Sequence, residues 1–89
     1  MLESPVQTKI MKDLKKRGFF VRKIIQTNKP GDPDLYAFKE GRTIWIECKR
    51  PGKAARPLQE YRGEEIKISG MEWYQADSYE KYESLNLFQ

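Results

Sequence analysis

Asp34, Glu47 and Lys49 are the residues in this chain whose types and spacing could do chemistry together. Asp34 follows Pro33 in Gly31-Asp32-Pro33-Asp34, and Glu47-Cys48-Lys49 closes the apolar run Ile44-Trp45-Ile46. Asp34–Phe38 and Thr43–Glu47 both read as strands, and Lys39-Glu40-Gly41-Arg42 between them reads as a tight turn with a glycine where positive φ is needed. A turn centred on Glu40-Gly41 pairs Phe38 with Thr43, and counting outward sets Asp34 opposite Glu47. Opposed residues of an antiparallel pair have Cβ atoms about 4.5–5.5 Å apart. Alternation turns Glu47 and Lys49 to one face and Ile46 and Cys48 to the other. Opposed carboxylates repel in a plain sheet. A hard divalent cation such as Mg²⁺ removes the conflict, can polarise a phosphoryl oxygen and lowers the pKa of a bound water. Lys49 could then orient that water or stabilise developing negative charge. The alternative is two exposed carboxylates paired with Lys49 on a solvated face, and the spacing alone leaves both open.

The elements that must position these residues belong to a short chain. Its 89 residues are expected to form one domain, 1–89, whose small core a partner subunit could supplement. A hydrophobic fraction of 38% with 12% aromatics suits a folded chain. No apolar run approaches the roughly 20 residues that span a bilayer, and no signal-peptide pattern is seen, so no membrane partner is expected. One cysteine and no histidine exclude an internal disulfide, a structural zinc site and histidine-based catalysis within one chain. A reducing, intracellular setting fits. Any catalysis must run on carboxylates, lysine, hydroxyls and metal. Residues 1–56 hold fourteen Lys/Arg against six Asp/Glu, and residues 57–89 hold three against seven. The acidic pair thus sits in a basic surround, as a phosphate polyanion would require; solubility charge is the plainer explanation.

Taken in order, Ser4-Pro5-Val6-Gln7 opens a helix with Ser4 as N-cap, and Val6, Ile10 and Leu14, with Met11 alongside, form its apolar face up to Gly18. Phe19–Ile25 reads as a first strand. The loop 26–31 offers Lys29 and the Gly31 backbone to a phosphate, or is an ordinary surface connection. After Lys49, the Pro/Gly loop with Arg50, Lys53 and Arg56 leaves the strand end beside the acidic pair and reads as a backbone clamp. Leu58 to about Ser69 is a weaker helix, with Leu58, Tyr61, Glu65 and Ile66 as a partial stripe and Gly63 as a poor helix former. Gln59 in its first turn faces the hairpin or the solvent. Met71–Ala76 is a last strand, and Asp77 or Ser78 caps a short helix through Tyr79, Tyr82 and Leu85. Trp73, Tyr74, Tyr79, Tyr82 and Phe88 could stack bases, or fill a core or a dimer interface. The order is helix, three strands, helix, strand, short helix: an α/β chain with a mixed central sheet flanked by helices.

Pro33-Asp34 followed by Glu47-Cys48-Lys49 resembles the PD-(D/E)XK nuclease signature on its restriction-endonuclease-like αβββαβ core. With Glu3-Ser4-Pro5-Val6-Gln7, Gly31-Asp32-Pro33-Asp34-Leu35 and Pro57-Leu58-Gln59 in the same order, the chain resembles the VRR-Nuc family, in particular its stand-alone virus-type members. The resemblance implies a metal-dependent DNA endonuclease, a Holliday-junction resolvase acting as a homodimer on four-way junctions, of viral origin and at work in the host cytoplasm. It implies that Asp34, Glu47 and the Cys48 backbone carbonyl hold Mg²⁺ or Mn²⁺, that Glu3 completes the cluster directly or through water, that Lys49 activates the attacking water, and that Gln59 lies against that lysine and supports the site. Nicking or flap cleavage, or DNA binding without catalysis, are the alternatives.

Overall fold

The computed structural model describes residues 5–49, 52 and 55–88. Seven elements follow one another: α1 (Pro5–Lys16), β1 (Phe20–Lys23), β2 (Leu35–Lys39), β3 (Arg42–Cys48), α2 (Pro57–Ile68), β4 (Glu72–Ala76) and α3 (Tyr79–Ser84). The four strands form one sheet in the order β1-β2-β3-β4. β1 and β2, and β2 and β3, run antiparallel, while β3 and β4 run parallel across the α2 crossover. The expected mixed α/β architecture is therefore the one adopted. Among the described residues no helix is long and apolar enough to cross a membrane.

The β2–β3 hairpin has the predicted register, with Phe38 opposite Thr43 and Leu35 opposite Ile46. Its turn is set by Glu40 (φ 49°) and Gly41 (φ 82°), both left-handed, the two-residue arrangement whose twist matches the flanking strands. Phe19, expected in β1, belongs instead to the end of α1. Gly18 at φ 90° lets its N–H reach the Lys15 carbonyl (3.0 Å) and the Phe19 N–H reach that of Leu14 (3.0 Å), which satisfies two orphan helix carbonyls. At its other end β1 stops at Lys23, and Ile25, also expected in the strand, is exposed. β2 begins at Leu35, one residue later than expected, and the remaining boundaries lie within one residue of the predicted ones. Ser78 is the cap of α3, accepting from the Lys81 N–H at 3.0 Å. The N-cap expected at Ser4 lies outside the described residues.

One sheet face carries the core. Ile10 and Leu14 of α1 pack on Val21, Leu35, Ala37, Ile44 and Ile46, with Tyr82 and Leu87 from the C-terminal segment. Tyr82 donates to Asp13 at 2.7 Å and Arg17 pairs with the same carboxylate at 2.8 Å, which ties α3 to α1. Tyr82 and Trp73 are buried, so these aromatics fill packing space and are not free for stacking.

The opposite face is only partly covered. α2 lies against β4, and its buried residues are Gly63 and Ile66, whereas Leu58 and Tyr61 of the expected apolar stripe are exposed. Phe20 and Phe38, paired across β1 and β2, are also exposed on the uncovered part. Gly63, unfavourable by helix propensity, is required by packing: a Cβ there would sit 2.3 Å from Cδ2 of Trp73. Gly63→Ala should accordingly destabilise the protein by about 2–3 kcal/mol through overpacking. Urea unfolding would check this, with the exposed Gly70→Ala, which costs only left-handed backbone strain, as the milder comparison.

Candidate active site

The residues predicted to meet do meet. Asp34 is the residue before β2 and Glu47 is the penultimate residue of β3, and the hairpin register carried one step outward opposes them. Asp34 Oδ2 accepts the Cys48 N–H at 2.9 Å, so its carboxylate is bound across the hairpin to the backbone beside Glu47. Glu47 itself is 2% exposed. Its Oε1 accepts from Gln59 Nε2 at 2.8 Å and lies 3.3 Å from Lys49 Nζ. Among the described residues its Oε2 is buried with no hydrogen-bond partner.

This electrostatics is strained. Burial, and then the charge of Asp34, pushes the Glu47 carboxyl up to about 7, against the stabilising pull of Lys49. Burial likewise raises Asp34, partly offset by the Cys48 N–H and by Lys49 and Lys23. The solvated-face alternative does not hold for Glu47, which is buried, while Asp34 is half-buried. The Cys48 thiol is driven up to about 12 by burial and the two neighbouring carboxylates, so it packs as a neutral group.

Gln59 has two bonds rather than one. Its Oε1 accepts the Arg56 N–H at 2.8 Å, closing the first turn of α2, while its Nε2 holds Glu47. Gln59 Nε2 and Lys49 Nζ thus meet at the same Glu47 oxygen, and the hydrogen bond of Gln59 goes to that carboxylate. A neutral amide can satisfy a carboxylate and a helix N–H at once because it carries both a donor and an acceptor.

The remaining predicted residues are more dispersed. Gly31 has a packing reason for being glycine, since φ is 91° and a Cβ would lie 2.9 Å from Leu58 Cγ. Lys29 and Arg56 are exposed. Glu3, Arg50 and Lys53 lie outside the described residues. Asp32 accepts from Thr27 Oγ1 at 2.7 Å and so shapes its own loop. Two residues that the sequence did not single out for the site each hold one backbone N–H beside it. Gln75 Oε1, opposite Glu47 on β4, accepts the Ala55 N–H at 3.1 Å, and Asp77 Oδ2 accepts the Gly52 N–H at 3.0 Å. The signal for them was slight: two polar residues bracketing the small Ala76 at the end of an apolar strand.

The donor set suits a hard cation. Oxygen is offered by Asp34 and by the unpartnered Oε2 of Glu47, and a cation between them would offset both the desolvation and the mutual repulsion. Among the described residues no group of three or more His, Cys, Asp or Glu side chains gathers for a metal, so further ligands would be backbone carbonyl, water or substrate oxygens.

Comparison with solved structures bears on the fold. A structure titled "VRR_NUC domain" superposes with a TM-score of 0.81 over 94% of this chain and 94% of that one, at 21% identity. A "VRR_NUC domain protein" superposes at 0.74 over 96% of this chain and 88% of its own, at 22% identity. The chain has the VRR_NUC fold. In sequence, the VRR_NUC-fold chain is 31% identical over 58 residues to the "Putative nuclease p44" of Acyrthosiphon pisum secondary endosymbiont phage 1. That match covers 64% of this chain and 62% of the phage protein. No protein-family model matches the chain.

The raised Glu47 carboxyl has a consequence for stability. Its unfolded value is near 4.5 and its folded value about 7, so the folded state binds the extra proton. That contribution is fully present below the unfolded value and is lost as pH rises through the folded one. Metal-free protein should lose on the order of 2–3 kcal/mol between pH 4.5 and 7.5 from this group. Urea unfolding at the two pH values would measure it, and Glu47→Gln should flatten the difference.

Proposed function

We propose that the chain is a VRR-Nuc nuclease that hydrolyses DNA phosphodiester bonds with Mg²⁺ or Mn²⁺. The observation that carries this reading is Glu47, buried beside Asp34 with one oxygen unpartnered and Lys49 within 3.3 Å of the other. Carboxylates held in this way are costly unless they have a ligand to bind. The sequence likeness to a phage protein named as a nuclease adds support.

In this reading Asp34, Glu47 and the Cys48 carbonyl hold the cation, with Glu3 reaching it directly or through water. The bound cation supplies Lewis-acid polarisation of the phosphoryl oxygen and a more acidic water. Lys49 orients that water and stabilises negative charge developing at phosphorus. Gln59 positions Glu47 from the α2 side and leaves Oε2 free for the cation. Lys29, the Gly31 backbone, Arg50, Lys53 and Arg56 contact the strand on either side of the scissile bond. The substrate is a four-way junction cut by a homodimer, two sites acting on two strands under two-fold symmetry, in an infected host's cytoplasm.

The test is cleavage of a labelled four-way junction beside linear duplex and a flap substrate, with Mg²⁺, Mn²⁺ or EDTA. Wild type should cut the junction in a metal-dependent manner, and Lys49→Ala should lose about 10²–10³-fold in rate. Equal cutting of junction and linear duplex would remove the junction assignment, and preferential flap cutting would replace it. Binding without cutting under any metal would leave a DNA-binding module.

A further inference from the structure

A second basic surface adjoins the site from the half of the chain that is acidic overall. A cleft of about 410 Å³ runs along β4, walled by Trp73, Tyr74, Gln75 and Ala76, and it is lined by Lys49, Lys67 and Lys81. Lys67 comes from the last turn of α2 and Lys81 from the first turn of α3. Lys49 thus belongs both to the acidic centre and to this cleft, which makes the two continuous.

Among the described residues lining the cleft three ammonium groups stand against one carboxylate, and of the three Lys49 is also paired with Glu47 at 3.3 Å, so the cleft stays positive on balance. Asp77, the acidic residue lining it, has its Oδ2 occupied by the Gly52 N–H at 3.0 Å. Lys67 has a loose exposed pairing with Glu64 at 3.4 Å, the kind of contact that contributes little and exchanges readily. Lys81 and Lys67 are both exposed. Three ammonium groups around a space of nucleotide size, with Trp73 and Tyr74 among its lining, suit a polyanion with sugar between its charges.

We infer that this cleft binds the sugar-phosphate backbone of the nucleic acid strand next to the cleaved bond, with Lys67 and Lys81 each contacting a phosphate. The inference rests on the nuclease reading and adds a backbone path along β4 to the contacts proposed above. The strand enters or leaves along β4, passes Lys49, and presents its phosphate to Asp34 and Glu47. Lys67 and Lys81 are binding residues in this arrangement and do not touch the reacting atoms.

Counterion release gives a readout that separates a phosphate contact from a general loss of charge. The probe is a labelled 30-base-pair duplex or four-way junction, bound in EDTA so that nothing is cut, across about 50–300 mM salt. Each lysine that contacts a phosphate contributes about 0.9 to the slope of log K against log salt. Lys67→Ala and Lys81→Ala should each flatten the slope by about that amount and weaken binding roughly fivefold to tenfold at 0.1 M salt, with the double variant flattening it by about 1.8. Lys12→Ala, which removes the same charge from exposed α1 on the other side of the sheet, should leave the slope unchanged. An unchanged slope in the double variant, or an equal change in Lys12→Ala, overturns the cleft assignment while wild-type cleavage leaves the nuclease reading standing. Wild-type protein that neither binds nor cuts any of these DNAs overturns the nuclease reading and this inference with it.

Discussion

The bond from the Cys48 N–H to Asp34 Oδ2 is the constraint on which the site depends. It fastens a carboxylate across the mouth of the hairpin at the point where the regular β2–β3 ladder ends. A loop carboxylate would drift away from its like-charged neighbour, but one that accepts a backbone N–H stays where the hairpin puts it. Glu47 follows one residue before Cys48 on the same strand. The two carboxyl groups are therefore held together by the backbone, and burial, followed by the charge of Asp34, raises the Glu47 carboxyl. A site that keeps two like charges together with one oxygen unsatisfied is prepared for a cation, and the proposed chemistry begins from that preparation.

α2 serves this arrangement from the sheet face on which Glu47 lies. Gln59 joins the first turn of the helix to Glu47, so the helix end and the carboxylate are positioned by one side chain. Two glycines allow the helix to come close enough. Gly63 receives the Trp73 indole and Gly31 passes under Leu58, and in both places a methyl group would collide. Neither glycine needs a ligand to explain it. The helix has a weak apolar stripe because its seat is made by the absence of side chains rather than by large apolar ones, with Ile66 as its buried aliphatic contact.

The two sheet faces have divided labour. Face-on packing of α1 and α3 buries Ile44 and Ile46, and the alternate residues Trp45 and Glu47 turn toward the α2 side. The acidic centre thus sits on the less covered face, where substrate has access, but on a strand whose other face is anchored in the core. Lysines from α2 and α3 reach the same region because β4 runs parallel to β3 and ends beside Cys48. The acidic composition of residues 57–89 hides this, since Lys67 and Lys81 are few in number but adjacent in space.

The hairpin, its turn and the juxtaposition of Asp34 with Glu47 were legible in the sequence, because local pairing follows from alternation and from a turn that needs left-handed residues at Glu40 and Gly41. The helix and strand order was legible for the same reason, as periodicity and end signals act over a few residues. Other features were decided by tertiary contact. Phe19 reads as strand by its own preference, yet the left-handed Gly18 draws its N–H back to Leu14. Gln59 reads as facing either the hairpin or the solvent, and through resemblance as lying against Lys49; the docking of α2 decides between these and gives it Glu47 to hold. Gly63 counts against a helix until Trp73 is seen against it. The enclosure that raises Glu47 was likewise not visible, because two carboxylates at that spacing fit a solvated ladder equally well. Sequence carries the interactions between near neighbours and across a tight turn; burial depends on which distant elements come to rest on those neighbours, and that is settled by packing.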